Sequence, residues 1–164
     1  MGYALPDERQ LLIRMANNQA SPHLIPVEIS TNEPIHSSIQ FVVAESYGSL
    51  RISTLEDIVG EKLRSLLQQS IRNRTRRQDL LDLAVVLQFN PEIDRQLVAE
   101  ALELKAAARD IAVSRTAFRS PDLVSRARIG YVDLEATTRV RFIAFDDALA
   151  IVHAFVDELP IPIE

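Results

Sequence analysis

From residue 54 onward, apolar residues fall mostly three and four positions apart. Leu55, Ile58, Val59, Leu63, Leu66 and Leu67 predict a helix over about 54–71, opened by a Ser53-x-x-Glu56 capping box. Leu80, Leu81, Leu83, Ala84, Val85, Val86, Leu87 and Phe89 leave almost no polar face, which predicts an interior helix over about 77–89 ended by Asn90-Pro91. PEIDRQLVAEALELKAAARD (91–110) reads as a third helix with proline in its first turn, and FDDALAIVHAFVDEL (145–159) as a last one stopped by the PIPIE tail. Between them, SPDLVSRARIGYVDLEATTRVRFI (120–143) mixes loop, turn and short-strand character.

Ahead of residue 54 the period shortens. HLIPVEIS (23–30) is β-like, with Pro26 confining it to a sheet edge or to a late start. IQFVVAES (39–46), a Tyr47-Gly48 turn and SLRIS (49–53) predict a hairpin. Earlier still, DERQLLIRMANN (7–18) reads as a helix, with Asp7 as its cap and Leu11, Leu12 and Met15 as its apolar stripe. No internal repeat or linker interrupts the pattern. The expected class is α+β: a small, mostly antiparallel sheet of about three strands packed against a helical bundle. One domain is expected over 1–164, with a helix and sheet in 1–53 and a helical portion in 54–164.

Composition narrows the chemistry. The chain has 164 residues, 47% hydrophobic and 25% charged, which is globular rather than disordered. A net charge of −5 gives no global attraction to nucleic acid or anionic lipid, so any such contact must be a local patch. Without cysteine there is no disulfide framework, thiolate zinc site or cysteine nucleophile. No apolar run approaches the ~18 residues of a membrane span, and MGYALPDERQ does not have the layout of a secretion signal; a cytoplasmic location is expected.

One stretch departs from this plain picture. EKLRSLLQQSIRNRTRRQDLLDL (61–83) places Arg72, Arg74, Arg76 and Arg77 in a single turn between two apolar helices. Counting ~100° per residue from Leu55, Lys62 falls at about 340°, inside the apolar stripe between Ile58 and Leu66. Such a lysine either snorkels to the rim or projects a cation into a cleft to meet phosphate. Asp79 and Asp82, three apart on the next helix, are open to two readings as well. They either favour the helix N-terminus with Arg76 or Arg77 as partner, or they join Lys62 in a cluster that binds a polyanion and a metal or takes a proton. Arg72, Arg74, Arg76 and Arg77 form either a solvated connection or an RNA-phosphate contact. His23, His36 and His153 are scattered without metal-ligand spacing, Asp146-Asp147 suits a helix start, and no P-loop, GxGxxG or GxSxG occurs.

TLEDIVGEKLRSLLQQ followed by RRQDLLDLAVVL resembles the AbiEii/AbiGii-type nucleotidyltransferases of toxin–antitoxin and phage-defence systems, over roughly residues 23–90. LIPVEIS looks like a strand of that family, and FDDALAIVHAFVDELP is loosely similar to its last helix. The resemblance implies a nucleotidyltransferase fold in which Mg²⁺ and NTP are cofactor and substrate. It implies Glu28 as a metal carboxylate, Lys62 and Asp79 as catalytic residues, and Arg76, Arg77 and Asp82 with Lys62 as substrate-binding residues. Family members begin with a Gly-Ser motif followed by an Asp-x-Asp/Glu pair, and this sequence has neither. The expectation is therefore a partial nucleotidyltransferase fold, from a truncated, decayed or split protein. That chain would be inactive by itself, would hold no cofactor alone, and would partner an antitoxin or an N-terminal companion chain. A non-catalytic nucleotide-binding, RNA-binding or protein-docking module is the alternative.

Overall fold

The computed structural model of the chain describes residues 11–15, 23–27, 34–42, 49–138 and 141–164. Its contacts divide the chain into two compact units, Met1–Glu33 and Pro34–Glu164. In the first, β1 (Leu11–Met15) pairs antiparallel with β2 (His23–Val27), with Ile13 opposite Ile25. The helix expected over 7–18 is thus corrected within 11–15. LLIRM satisfies a period of two as well as a helical one, and in so short a run the backbone pairing to HLIPV decides. Pro26 lies in a two-stranded ladder, where each strand keeps one edge outside the pair. The Asp7 cap and Glu28 lie outside the described residues.

The second unit begins with the expected hairpin strands, β3 (Ser38–Val42) and β4 (Ser49–Ser53), antiparallel with Phe41 opposite Leu50. The Tyr47-Gly48 turn lies outside the described residues. Helices then predominate: α1 (Leu55–Leu67), α2 (Gln69–Arg72), α3 (Arg77–Phe89), α4 (Arg95–Ala107), α5 (Pro121–Arg128), α6 (Leu134–Thr137) and α7 (Phe145–Glu158). The described strands form two separate two-stranded ladders rather than one sheet of about three strands. Among the described residues no helix is long and apolar enough to cross a membrane.

Local chemistry sets the helix ends. Ser53 is taken up in β4, so Thr54 caps α1, its hydroxyl accepting from the Asp57 amide at 3.2 Å. α4 starts at Arg95 rather than in the turn at Pro91, because the Asp94 carboxylate satisfies the free amides of Gln96 and Leu97 at 2.9 and 3.1 Å. The region expected to mix loop and strand over 120–143 instead holds α5. Ser120 caps that helix and Pro121 opens it, a start signal the apolar pattern had obscured. α3 is the interior helix its composition demands, with Leu80, Leu81, Leu83 and Ala84 wholly buried.

α1 is the centre of the second unit, packed extensively on α4 and also on α3, while α3 packs on α7. Two features fix the α1–α4 seam. At Gly60 the helices approach so closely that an added Cβ would stand 2.8 Å from the Ala101 Cβ and 3.0 Å from the Leu102 amide nitrogen. One turn earlier, Asp57 and Lys105 form an ion pair at 3.2 Å with side chains only 3% and 5% exposed, a burial that leaves few other partners for either charge. Asp57 also accepts from the His36 amide at 2.7 Å, and Lys105 donates to the Pro34 carbonyl at 2.8 Å, so both charges are satisfied and the lead into β3 is pinned to α1 and α4.

Gly60→Ala is expected to destabilise the protein by about 1–3 kcal/mol, read as a lowered urea midpoint, because the Ala101 Cβ and the α4 backbone, not a flexible side chain, lie in the way. Asp57→Leu or Lys105→Met alone is expected to cost about 3–5 kcal/mol by leaving a buried charge unpaired. The double variant is expected to recover much of that loss, and additive losses in the cycle would contradict this account of the pair.

Candidate functional site

Lys62 lies on α1 where the apolar stripe placed it, between Leu66, which is buried, and Ile58 at the edge of the stripe. The adjoining helix α3 carries Asp79 in its first turn and Asp82 one turn on, so both carboxylates face the same seam. The Lys62 Nζ donates to Asp79 Oδ1 at 3.0 Å and to Asp82 Oδ2 at 2.7 Å. Gln78 Nε2 donates to the other oxygen of Asp82 at 2.9 Å, and the Arg76 guanidinium stands 3.7 Å from the second oxygen of Asp79. These side chains are between 17% and 32% exposed for the charged members, so the cluster is lined by protein on one side and open to solvent on the other.

The electrostatics follow from that geometry. Burial alone would lower the Lys62 pKa. Hydrogen bonds to Asp82 and Asp79, with their negative charges, outweigh it and raise the value above the ordinary 10.5. Lys62 is therefore a fully charged ammonium at neutral pH, with two of its three donors in use. Tyr131 completes the surroundings. Burial, with the charge of Asp82, pushes its phenol up to about 12, and its neutral hydroxyl donates to the Ile143 carbonyl at 3.0 Å.

The four arginines of the turn separate into three kinds. Arg76 belongs to the cluster through Asp79. Arg77 turns away to the loop before α6, donating to the Gly130 carbonyl at 2.7 Å and standing 3.3 Å from Asp133. Its guanidinium fills the space a Cβ at Gly130 would occupy, and Gly130 has the left-handed φ of +65° that glycine adopts without strain. Arg72 and Arg74 are exposed and make no ion pair among the described residues. The turn itself is built by Gln69, whose Oε1 accepts from the Arg76 amide at 2.9 Å, and by Asn73 at φ +48°. Lys62, Asp79, Asp82 and Arg76 are thus brought together, Arg77 is spent on Gly130, and Glu28 lies outside the described residues.

His36, His153 and Asp146 have structural surroundings. His36 Nε2 is 3.2 Å from Glu100, His153 Nε2 is 3.1 Å from the Phe118 carbonyl, and Asp146 pairs with Arg128 at 2.5 Å. Gln78 bridging to Asp82 follows the i, i+4 spacing of a helix face, whereas Tyr131 beside Asp82 and the Asp57–Lys105 pair carry no signal in the sequence pattern. Each joins side chains whose identities are ordinary on their own helices.

A divalent-metal centre does not fit the described residues. No group of three or more His, Cys, Asp or Glu converges among them, and Asp79 and Asp82 are paired with Lys62, with Arg76 beside Asp79.

Comparison with known proteins gives one match. The model of the family described as "Nucleotidyl transferase AbiEii toxin, Type IV TA system" matches residues 4–151. No curated protein and no solved structure matches.

A raised lysine pKa contributes stability that is complete below pH 10.5 and is lost as pH rises through the folded-state value. Lys62→Met is expected to lose on the order of 1 kcal/mol at neutral pH. The gap to the unaltered protein should close as pH climbs past 10.5, in urea midpoints taken across that range. Tyr131 adds an alkaline loss to both proteins, so the difference between them isolates the lysine. A gap that stays constant or widens with pH would contradict the assignment.

Proposed function

The chain belongs to the AbiEii nucleotidyl transferase toxin family of type IV toxin–antitoxin systems, and on that premise we propose that Lys62 meets the phosphates of a nucleoside triphosphate. The observation that carries this reading is the convergence of Lys62 from α1 with Asp79 and Asp82 from α3, at a seam open to solvent. An ammonium is a compact point charge suited to phosphate, and its third donor has no partner among the described residues. Arg76, at the rim of the same cluster, supplies a second cation for the polyphosphate. Asp79 and Asp82 act through Lys62, holding it charged and aimed.

In this reading the reaction is transfer of a nucleotide from NTP to an acceptor such as RNA or protein, on a partial nucleotidyltransferase fold of α+β class. Glu28 keeps the metal-carboxylate role that the resemblance gives it. No Mg²⁺ is assigned to the described residues, and no step is routed through one. In this reading the chain taken alone transfers no nucleotide, because this sequence lacks the Gly-Ser motif followed by an Asp-x-Asp/Glu pair that the resemblance calls for. The antitoxin implied by the family is its partner. A non-catalytic nucleotide- or RNA-binding module is the second reading, favoured by the exposure of Arg72 and Arg74 in the adjoining turn.

The test pairs binding with transfer. Titration with each labelled NTP is expected to show saturable binding that Lys62→Ala weakens about tenfold or more. Because Lys62→Ala also leaves Asp82 without its cation, Asp82→Asn is measured beside it. That change frees a lysine donor and removes a competing anion, so it is expected to tighten binding. Weaker binding by both variants would mean that the acid rather than the lysine contacts the nucleotide. Incubation with labelled NTP, Mg²⁺ and total tRNA is expected to give no transfer, and label transfer that Lys62→Ala abolishes would overturn the inactivity.

A further inference from the structure

Away from the residues that Lys62 contacts, the end of α1, α2 and residues 111–123 line a groove of about 240 Å³. Leu67, Ile71, Ile111, Ala112, Ala117 and Leu123 line it, with the hydroxyl-bearing Ser70 and Ser120. Ile71 is 64% exposed, although it sits at helical spacing from the buried Leu67. An isoleucine presented in this way beside an apolar hollow is not covered by its own chain among the described residues.

Size and lining narrow the occupant. Pockets that enclose a nucleotide-sized or drug-sized ligand run to roughly 300–1,000 Å³, so this groove suits an inserted side chain better than a whole metabolite. The lining offers no aromatic ring on which a base could stack, the usual basis of single-stranded nucleic-acid binding. Apolar walls around a small hollow fit the aliphatic anchor of a protein segment.

Charge narrows it further. Arg72 follows Ile71 directly, and the Arg74 backbone is held beside it by a hydrogen bond from its amide to the Gln69 carbonyl at 3.1 Å. Neither makes an ion pair among the described residues, whereas Arg76, Arg77, Arg119 and Arg126 nearby each do. Of the two carboxylates next in sequence to a lining residue, Asp122 is neutralised by Arg126, and the exposed Asp110 remains. The uncommitted charge around the groove is therefore net positive in a chain whose formal total is −5.

We propose that this groove docks an acidic segment of a partner protein, an aliphatic side chain entering beside Ile71 and flanking carboxylates meeting Arg72 and Arg74. The apolar contact supplies grip, and the charge pairs supply orientation and rate of encounter. The interaction weakens with salt, because both arginines are exposed.

Selection of a displayed library of random short peptides on the full chain tests this. Enriched peptides are expected to combine Leu, Ile or Val with Asp or Glu. Their affinity is expected to fall about tenfold or more for Ile71→Glu and for the Arg72→Glu/Arg74→Glu pair. Both variants change exposed side chains, and an unchanged urea midpoint verifies that they fold. Failure to enrich any peptide, enrichment without acidic residues, or undiminished binding by either variant would overturn the proposal. A single-stranded RNA oligonucleotide is titrated in parallel. RNA binding that is lost in the arginine variant, but kept in Ile71→Glu, would assign the turn to nucleic acid instead.

Discussion

The second unit depends on α1 being held from both sides by ion pairs of different character. Toward α4, Asp57 meets Lys105 where both side chains are almost fully buried, and toward α3, Lys62 meets Asp79 and Asp82 at a seam open to solvent. The first pair is closed: the His36 amide and Pro34 carbonyl complete its hydrogen bonding, and no approach is left for a ligand. Its effect is to fix the helix and the segment leading into β3. The second pair keeps a lysine donor and a solvent-facing side, so the same residue types that brace the fold at one end of the helix are available for exchange a turn and a half further on. Exposure, rather than residue identity, separates a strut from a site.

That distinction explains what the sequence disclosed and what it withheld. The helices containing Lys62, Asp79 and Phe145 were legible because their apolar residues repeat over several turns, and α3 could be read as interior because it has almost no polar face. The stripe angle placed Lys62 on the seam, but angle alone could not separate snorkelling from pairing with two acids on another helix. Asp57 and Lys105 lie on different helices with nothing in either local pattern to join them, and their pairing exists only once Gly60 has let the helices close. The strand at Leu11–Met15 failed for the opposite reason: five residues carry too little periodicity to choose between two periods. At Ser120-Pro121 the start signal was present, but the sparse apolar content of the helix it opens gave no second sign.

The arginine turn resolves into separate tasks in the same way. A run of like charges read along the sequence suggests one patch, yet the backbone breaks it up. Gln69 takes the Arg76 amide, Asn73 reverses the chain in the left-handed region, and the guanidinium groups leave in different directions. Arg77 is the clearest case. Its contact with Gly130 spans fifty-three residues and excludes any side chain there, so it ties α3 to the loop that places Tyr131 near Asp82. In the structure this arginine ties two elements of the second unit together.

The charge balance of the Lys62 cluster limits how it can work. Lys62 and Arg76 carry two positive charges and Asp79 and Asp82 two negative ones, so with all four ionised the cluster is formally neutral. A polyphosphate arriving there gains little from long-range attraction, and the chain's total of −5 opposes it. On the proposed reading, binding would come from exchange at close range, in which a phosphate oxygen takes the remaining lysine donor or displaces Asp82. A displaced Asp82 keeps its hydrogen bond from Gln78, which lessens the penalty of leaving the lysine. Asp79 is placed differently, with Lys62 on one oxygen and Arg76 near the other, so it is the acid that stays. The two carboxylates are therefore unequal: one anchors the ammonium while the other can yield to a ligand.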